Sequence, residues 1–185
     1  TISQLRVLCL GMGDIGTHFA KKVKALGAHV IGVRRHIREL PEGFDEQYEI
    51  QDLDRLLPEA DVIAMSLPQT PDTIHIMNKE HLALTKPGSI LINVGRGSAI
   101  DETALIPLQK NDHFAGVCLD VFEHEPLPKN NPLWNLPHTL CTPHIAVRFN
   151  AEVTYDRVLS IFADNLKRYL AGEPLRHTVD RKLGY

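Results

Sequence analysis

Short apolar runs alternate with amphipathic segments along most of this chain. The apolar runs predict strands at 6–10, 29–33, 61–67, 89–94, 114–122 and 139–143. The amphipathic segments predict helices at 16–26, 53–60, 78–85, 102–110 and 151–171. Strands that are apolar along their whole length are typical of parallel sheets buried on both faces. The alternation therefore predicts an α/β fold, a doubly wound parallel sheet with helices on both sides.

Two of the predicted helices have features of their own. Pro107 lies inside the segment 102–110, where its missing N–H group and its ring favour a break or an early end. In the last helix the large apolar residues fall on one stripe. The stripe consists of Val158, Ile161, Phe162, Leu166, Tyr169 and Leu170.

A glycine-rich turn, G-M-G-D-I-G at residues 11–16, lies between the first predicted strand and the first predicted helix. Gly11 permits the tight turn, Gly13 leaves room for a phosphate near the backbone, and Gly16 lets the helix pack closely. The N–H groups at the start of the helix, beside Asp14 and Ile15, have no partners inside the helix and suit a pyrophosphate. The pattern predicts a Rossmann-type dinucleotide site, and a glycine turn without a ligand is the plainer alternative.

The end of the second predicted strand bears on the choice of nicotinamide cofactor. An NAD site normally has a carboxylate there, which binds the ribose 2′-hydroxyl group. This chain has Arg34, Arg35 and His36 instead. Guanidinium groups bind phosphate through paired N–H donors, so we predict NADP as the cofactor, with NAD as the alternative. A solvated basic turn is the interpretation that needs no ligand.

The composition is ordinary for a globular protein, and 185 residues suffice for one full-sized domain. The formal net charge of −3 gives no indication of a nucleic acid or an anionic membrane as a partner. No apolar run approaches the roughly 20 residues of a membrane-spanning helix. Because Cys9, Cys118 and Cys141 lie in apolar strands and cannot all pair, we expect reduced core residues and a cytoplasmic protein.

Side chains with catalytic potential follow three of the later strands. Arg96, Glu125 and His144 each lie in a loop directly after an apolar run. Taken singly, each is more typical of a surface charge, a loop carboxylate or a packed histidine. Ligands of open parallel sheets bind beyond the carboxyl ends of the strands, where the glycine turn also lies. We therefore expect the three side chains to converge at that edge.

The residues His138, Cys141 and His144 have a spacing that some metal ligands share. In an extended strand, however, steps of three residues alternate between the two faces of the sheet, so Cys141 would point away from both histidines. We therefore expect no metal site.

Three motifs occur together in the second half of the chain. Residues 93–97 read N-V-G-R-G, residues 120–126 read D-V-F-E-H-E-P, and residues 143–144 read P-H. In this order they resemble the D-isomer-specific 2-hydroxyacid dehydrogenases, and the branch that they resemble most is glyoxylate/hydroxypyruvate reductase A. The resemblance covers essentially the whole chain and implies a catalytic set of Arg96, Glu125 and His144. It also implies cofactor-groove positions at Pro68, Thr73, Val94, Asp120 and Ile145.

The chemistry of the three catalytic candidates agrees with this resemblance. Hydride transfer to a ketone leaves an alkoxide, and His144 can protonate it because imidazole titrates near neutral pH. Glu125 would hold the orientation of the ring. Arg96 would bind the carboxylate and carbonyl oxygens of a small 2-oxo acid, such as glyoxylate or hydroxypyruvate, through two N–H groups.

In the family that the chain resembles, the cofactor domain is inserted within a substrate domain built from both ends of the chain. We therefore expect residues 1–172 to form the dinucleotide-binding domain and 173–185 to be a tail that returns to the substrate domain. About a hundred residues of that domain would be missing before residue 1. Alone, the chain would bind the cofactor with little or no turnover, because closure over the site is lost. The apolar stripe would be exposed, and the resemblance also implies a homodimer.

Two other functions stay open at this point. An NAD-linked enzyme similar to phosphoglycerate dehydrogenase would share these motifs, although Arg34 and Arg35 argue against NAD. A non-catalytic nucleotide-binding or partner-binding module is the second alternative, although the presence of Arg96, Glu125 and His144 together argues against it.

Overall fold

The computed structural model describes residues 1–146 and 152–182. The helices are α1 (Asp14–Ala25), α2 (Leu53–Leu56), α3 (Lys79–Leu84), α4 (Glu102–Lys110) and α5 (Glu152–Leu170). The strands are β1 (Arg6–Leu10), β2 (His29–Arg34), β3 (Glu46–Glu49), β4 (Val62–Met65), β5 (Ile90–Asn93), β6 (Gly116–Leu119) and β7 (Thr139–Cys141). The chain divides into two compact units, of which the first is Thr1–His144 and the second begins at Ile145.

The strands form one parallel sheet with the order β3-β2-β1-β4-β5-β6-β7. The chain runs outward from β1 to β3 and then returns to β4 on the other side of β1. In the register of these strands, Cys9 of β1 lies opposite Gly32 of β2 and Ala64 of β4. The switch point of the topology, where such sheets bind their ligands, is therefore at the carboxyl end of β1.

Alternate residues of the central strand point into two separate cores. Leu8 and Leu10 belong to the larger core, which contains the buried faces of α2, α3 and α4. Val7 and Cys9 belong to the smaller core, in which Ala20 of α1 is fully buried. Helices thus cover both faces of the sheet, and the predicted doubly wound α/β fold is confirmed.

The strand β3 is absent from the elements predicted from sequence. Its residues read E-Q-Y-E and are all half-buried, because β3 is an edge strand that pairs with β2 on one side. Such a polar segment has neither the apolar run nor the alternation that indicates a strand. Pairing with β2, a tertiary contact, is what makes it a strand.

Proline has opposite effects in two of the predicted helices. The segment predicted at 53–60 is helical only through Leu56 and then tightens to a 3-10 turn at Leu57–Glu59, which contains Pro58. By contrast, α4 continues through Pro107 to Lys110, so the predicted break is wrong. Pro107 and Thr103 are both exposed, so water can bind the carbonyl that lacks the proline N–H partner.

The three cysteines differ in burial. Cys9 is buried in the central strand, and this burial raises the pKa of its thiol to about 12. Cys118 and Cys141 are only half-buried. In β6, Val117 and Leu119 point to the opposite face from Cys118 and are buried, so Cys118 lies on the less covered face of that strand. The prediction of core cysteines is therefore confirmed for Cys9 alone.

The last helix follows the predicted range closely. It spans Glu152–Leu170, while Ala151, the predicted first residue, and residues 183–185 of the predicted tail lie outside the described residues. The boundary at residue 172 stays a prediction. No helix in the described part of the chain is long and apolar enough to cross a membrane.

Candidate active site

The glycine turn lies at the switch point of the sheet, between the strands that flank β1. The Gly11 N–H group donates to the Val33 carbonyl of β2 at 3.0 Å, and Ser66, just after β4, donates its hydroxyl to the Gly11 carbonyl at 3.4 Å. Gly11 has a φ of 105°, in the left-handed region that favours glycine. The turn is thus tied to both neighbouring strands.

The start of α1 leaves its backbone accessible. A Cβ atom at Gly16 would lie 2.0 Å from the Gly11 carbonyl oxygen, so only glycine lets the helix pack this closely against the turn. At Gly13 a Cβ atom would meet nothing within 4 Å. Asp14 and Ile15 are exposed, and the Asp14 carboxylate lies 3.5 Å from the His18 ring, one turn further along the helix. The start of α1 is therefore open to solvent, and a helix N-terminus of this kind can bind an anionic group.

Arg34 and Arg35 lie at the carboxyl end of β2, the strand whose Val33 carbonyl accepts the hydrogen bond from Gly11. Arg34 is the last residue of the strand, opposite Glu49 of β3. Arg35 forms an ion pair with Asp72, in which a guanidinium nitrogen lies 2.6 Å from the carboxylate. Asp72 was not predicted as a site residue, because it lies in a loop after β4 with no motif of its own.

The loop that carries Arg96 is held by a buried asparagine. The Asn93 side chain accepts a hydrogen bond from the Gly95 N–H group and donates one to the Arg96 carbonyl, both at 3.0 Å. Asn93 is only 1% exposed, at the carboxyl end of β5, whereas Arg96 is exposed. The Arg96 guanidinium donates to the Gly95 carbonyl at 2.8 Å. Within the N-x-x-R-G motif, Asn93 therefore sets the position of the Arg96 backbone.

The candidate general acid and its carboxylate partner are in direct contact. Nδ1 of His144 lies 2.7 Å from a Glu125 carboxylate oxygen, and the Phe122 N–H group donates to the other oxygen at 3.0 Å. Partial burial raises the pKa of Glu125, but these two hydrogen bonds outweigh it and hold that pKa below its ordinary value. Since Glu125 is ionised near neutral pH, Nδ1 of the ring carries the hydrogen.

The backbone at His144 is held in an uncommon conformation. Its φ is 54°, and its N–H group donates to the carbonyls of Asp120 at 2.8 Å and Thr142 at 3.0 Å. The Thr142 hydroxyl in turn donates to the buried Asp120 carboxylate at 2.5 Å. Left-handed φ values outside glycine concentrate at functional sites, where the surrounding bonds maintain the strain. Asp120 and Thr142 thus fix the backbone of His144, from which the imidazole side chain extends.

Arg96 acts on the same carboxylate as His144. Its positive charge is one of the influences that lower the pKa of Glu125. The three side chains follow β5, β6 and β7, which are parallel neighbours, so they lie at one edge of the sheet. This is also the edge at which β1 ends in the glycine turn. The structure thus brings Glu125 and His144 into contact and places Arg96 after the strand next to theirs.

The other predicted groove residues differ in their surroundings. Pro68 and Val94 are half-buried after β4 and β5. The Thr73 hydroxyl is engaged within its own loop, where it donates to the Pro68 carbonyl at 2.7 Å and accepts from the Thr70 N–H group at 2.8 Å. Ile145 is 52% exposed and begins the second unit. Thr73 therefore shapes the loop that leads to Asp72.

The spacing of His138, Cys141 and His144 does not produce a cluster. Within residues 1–146 and 152–182, no group of three or more histidine, cysteine, aspartate or glutamate side chains could hold a metal ion.

Comparison with known proteins identifies the family. The family model described as "D-isomer specific 2-hydroxyacid dehydrogenase, NAD binding domain" matches residues 1–146. The chain belongs to the D-isomer specific 2-hydroxyacid dehydrogenases. This family consists of NAD(P)-dependent oxidoreductases, and it contains both glyoxylate reductases and phosphoglycerate dehydrogenases. The placement in the reductase A branch stays a prediction.

Three members of the family illustrate the similarity. Glyoxylate/hydroxypyruvate reductase B of Enterobacter agglomerans is 40% identical over 92% of this chain and 52% of its own length. D-3-phosphoglycerate dehydrogenase of Methanocaldococcus jannaschii is 36% identical over 92% of this chain and 32% of its own length. The dehydrogenase of Xanthobacter autotrophicus Py2, solved with NADPH and MES, is 36% identical, with a TM-score of 0.91 over 100% of this chain and 74% of that one. The chain thus spans about half or less of the two curated relatives.

Proposed function

We propose that this chain is the cofactor-binding part of an NADPH-dependent reductase of small 2-oxo acids such as glyoxylate or hydroxypyruvate. The observation that carries the proposal is the Glu125–His144 contact of 2.7 Å, with the charge of Arg96 acting on the same carboxylate. A proton donor and a carboxylate-binding cation at one edge are what reduction of a 2-oxo acid requires.

The residues present fit a dinucleotide phosphate. The open space at Gly13 and the exposed start of α1 suit the pyrophosphate, with Asp14 and Ile15 beside it. The charges of Arg34 and Arg35 suit a 2′-phosphate. The family relative from Xanthobacter, solved with NADPH, supports this choice. When bound, the cofactor supplies the hydride.

In this proposal each catalytic candidate has one task. Arg96 binds the substrate carboxylate and stabilises the charge that develops on the carbonyl oxygen. His144 protonates that oxygen through Nε2, since its Nδ1 is directed at Glu125. Glu125 holds the ring and stabilises its charged form. Asp120 and Thr142 keep the backbone of His144 in place.

The activity of the whole enzyme needs more than these 185 residues. We propose that the chain binds the cofactor alone, and that turnover requires the part of its relatives that it does not span, because closure excludes water from the site. A homodimer and a cytoplasmic location belong to the same proposal. The exposed stripe of α5 supports the first, and three cysteines that cannot all pair support the second.

An NAD-linked enzyme is the second candidate, supported by the similarity to a phosphoglycerate dehydrogenase. Cofactor preference separates the two candidates. We expect the wild-type chain to bind NADPH more tightly than NADH in a fluorescence titration at fixed ionic strength. Equal or tighter binding of NADH would favour the second candidate.

The Arg35→Ala variant tests the assignment of the 2′-phosphate. We expect it to weaken NADPH binding by about 1–3 kcal/mol, the range for hydrogen bonds to charged groups, and to leave NADH binding nearly unchanged. The same titrations measure both. Equal weakening of the two cofactors would contradict the assignment of Arg35.

A further inference from the structure

The cation assigned to the 2′-phosphate already has an anionic partner. A guanidinium nitrogen of Arg35 lies 2.6 Å from a carboxylate oxygen of Asp72, which is 37 residues further along the chain. The Asp72 side chain is 65% exposed and that of Arg35 is 28% exposed. The contact is therefore within reach of solvent and of a bound nucleotide.

The position of this pair connects it with the glycine turn. Gly11 is bonded on one side to Val33, two residues before Arg35. On its other side it is bonded to Ser66, six residues before Asp72. The Arg35–Asp72 pair thus joins the segments that follow β2 and β4, the two strands on either side of β1. A dinucleotide bound at the glycine turn must share this region with the pair.

We propose that Asp72 is a specificity-determining residue, whose carboxylate competes with the 2′-phosphate of the cofactor for the guanidinium of Arg35. The inference rests on the proposed NADPH-binding function. An incoming 2′-phosphate releases Arg35 from Asp72, whereas a cofactor without that phosphate leaves the pair intact. Asp72 thereby reduces the advantage of NADPH over NADH.

The relative strength of the two contacts supports exchange. An ion pair between exposed side chains is weak, since water screens it and two side chains must be ordered. A phosphomonoester carries a charge of about −1.5 to −2 near neutral pH and offers three acceptor oxygens to the guanidinium. The 2′-phosphate therefore displaces the Asp72 carboxylate from Arg35. Because the Arg35–Asp72 contact is lost each time NADPH binds, the affinity for NADPH is lower than it would be without Asp72.

The Asp72→Asn variant tests the inference, because it removes the charge and keeps the shape of the side chain. We expect NADPH to bind about two- to fivefold more tightly, the range that corresponds to an exposed ion pair, and NADH to change less than twofold. Equilibrium titration of the chain with both cofactors, at one ionic strength, measures the ratio.

A double-mutant cycle distinguishes competition between Asp72 and the 2′-phosphate for Arg35 from a general effect of the changed charge. In the Arg35→Ala background, Asp72→Asn should no longer affect NADPH binding. The matched control is Glu39→Gln, which removes one exposed negative charge four residues after Arg35 and should leave the NADPH-to-NADH ratio unchanged.

Several outcomes would overturn the inference. A general electrostatic effect would be indicated if Asp72→Asn tightened the binding of NADPH and NADH equally. The same conclusion would follow if the effect persisted in the Arg35→Ala background, or if Glu39→Gln had an equal effect. Weaker NADPH binding would show that Asp72 orients Arg35 for the phosphate. If wild type binds NADPH and Asp72→Asn changes nothing, only the role of Asp72 fails; if wild type binds neither cofactor, the proposed function fails with it.

Discussion

At the scale of single residues, the candidate site depends on buried residues that hold the backbone of the catalytic candidates. Asn93 fixes the backbone of Arg96, and Asp120 fixes the backbone of His144. Both are nearly fully buried, so their hydrogen bonds are shielded from water and hold their geometry. Sequence motifs include Asn93 and Asp120, but the spacing of residues does not reveal which groups they bind.

The contact between Glu125 and His144 predicts a pH dependence of stability. The pKa of Glu125 in the folded chain lies below its ordinary value of 4.5, so its ionised form favours folding. Glu125→Gln should therefore destabilise the chain at pH 7, by about 0.2–1 kcal/mol because the side chain is partly exposed. The difference should be fully present above pH 4.5 and should vanish as the pH falls through the folded pKa.

Urea denaturation of wild type and Glu125→Gln in steps from pH 7 to pH 3.5 measures this difference. Glu39→Gln, at an exposed loop position, is the control and should show no such loss over the same steps. A stability difference that grows as the pH falls would contradict the pKa direction.

At the scale of elements, the turn from β1 into α1 combines a packing requirement with a binding surface. Gly16 allows the close approach of helix and turn, whereas Gly13 faces open space. The two glycines look alike in the sequence and belong to one motif. Because their surroundings differ, we expect Gly16 to matter for stability and Gly13 for ligand binding, and the two effects can be measured separately.

We expect Gly16→Ala to affect mainly the stability of the fold and Gly13→Ala to affect mainly cofactor binding. Gly16→Ala should destabilise the fold by about 1–3 kcal/mol, as overpacking does, because its Cβ atom would lie 2.0 Å from a carbonyl oxygen. Gly13→Ala should change the free energy of unfolding by less than about 1 kcal/mol but should weaken binding of both NADPH and NADH. Thermal unfolding and cofactor titration of each variant give the two quantities.

Each glycine variant is the control for the other. Unchanged cofactor binding in a stable Gly13→Ala variant would contradict the placement of the pyrophosphate at the start of α1. Unchanged stability of Gly16→Ala would contradict the close packing of that helix.

At the scale of the whole molecule, the second unit exposes an apolar surface. The stripe predicted on α5 is exposed along its length, with Phe162 at 65% and Leu170 at 77%. Contiguous apolar surface of this kind is typical of an interface. The periodicity of the sequence was enough to predict the stripe.

We expect this surface to promote self-association. Replacing both Phe162 and Leu170 by glutamate should weaken association about tenfold or more, since each large apolar side chain contributes about 1.5–3 kcal/mol when buried. Sedimentation velocity over a range of concentrations measures this. Arg157→Glu, at an exposed polar position of the same helix, should have little effect. A wild-type chain that stays monomeric at about 100 μM would contradict the prediction.

The sequence by itself determined the parallel α/β fold, the glycine turn and the family, because apolar periodicity and short motifs are local properties of the chain. It also placed Arg96, Glu125 and His144 at strand ends, and parallel strands bring such ends to one edge. Only the tertiary structure decided that E-Q-Y-E is a strand, since that depends on pairing with β2. The Arg35–Asp72 contact is of the same kind. It joins residues far apart in the sequence, and no local pattern records such a distance.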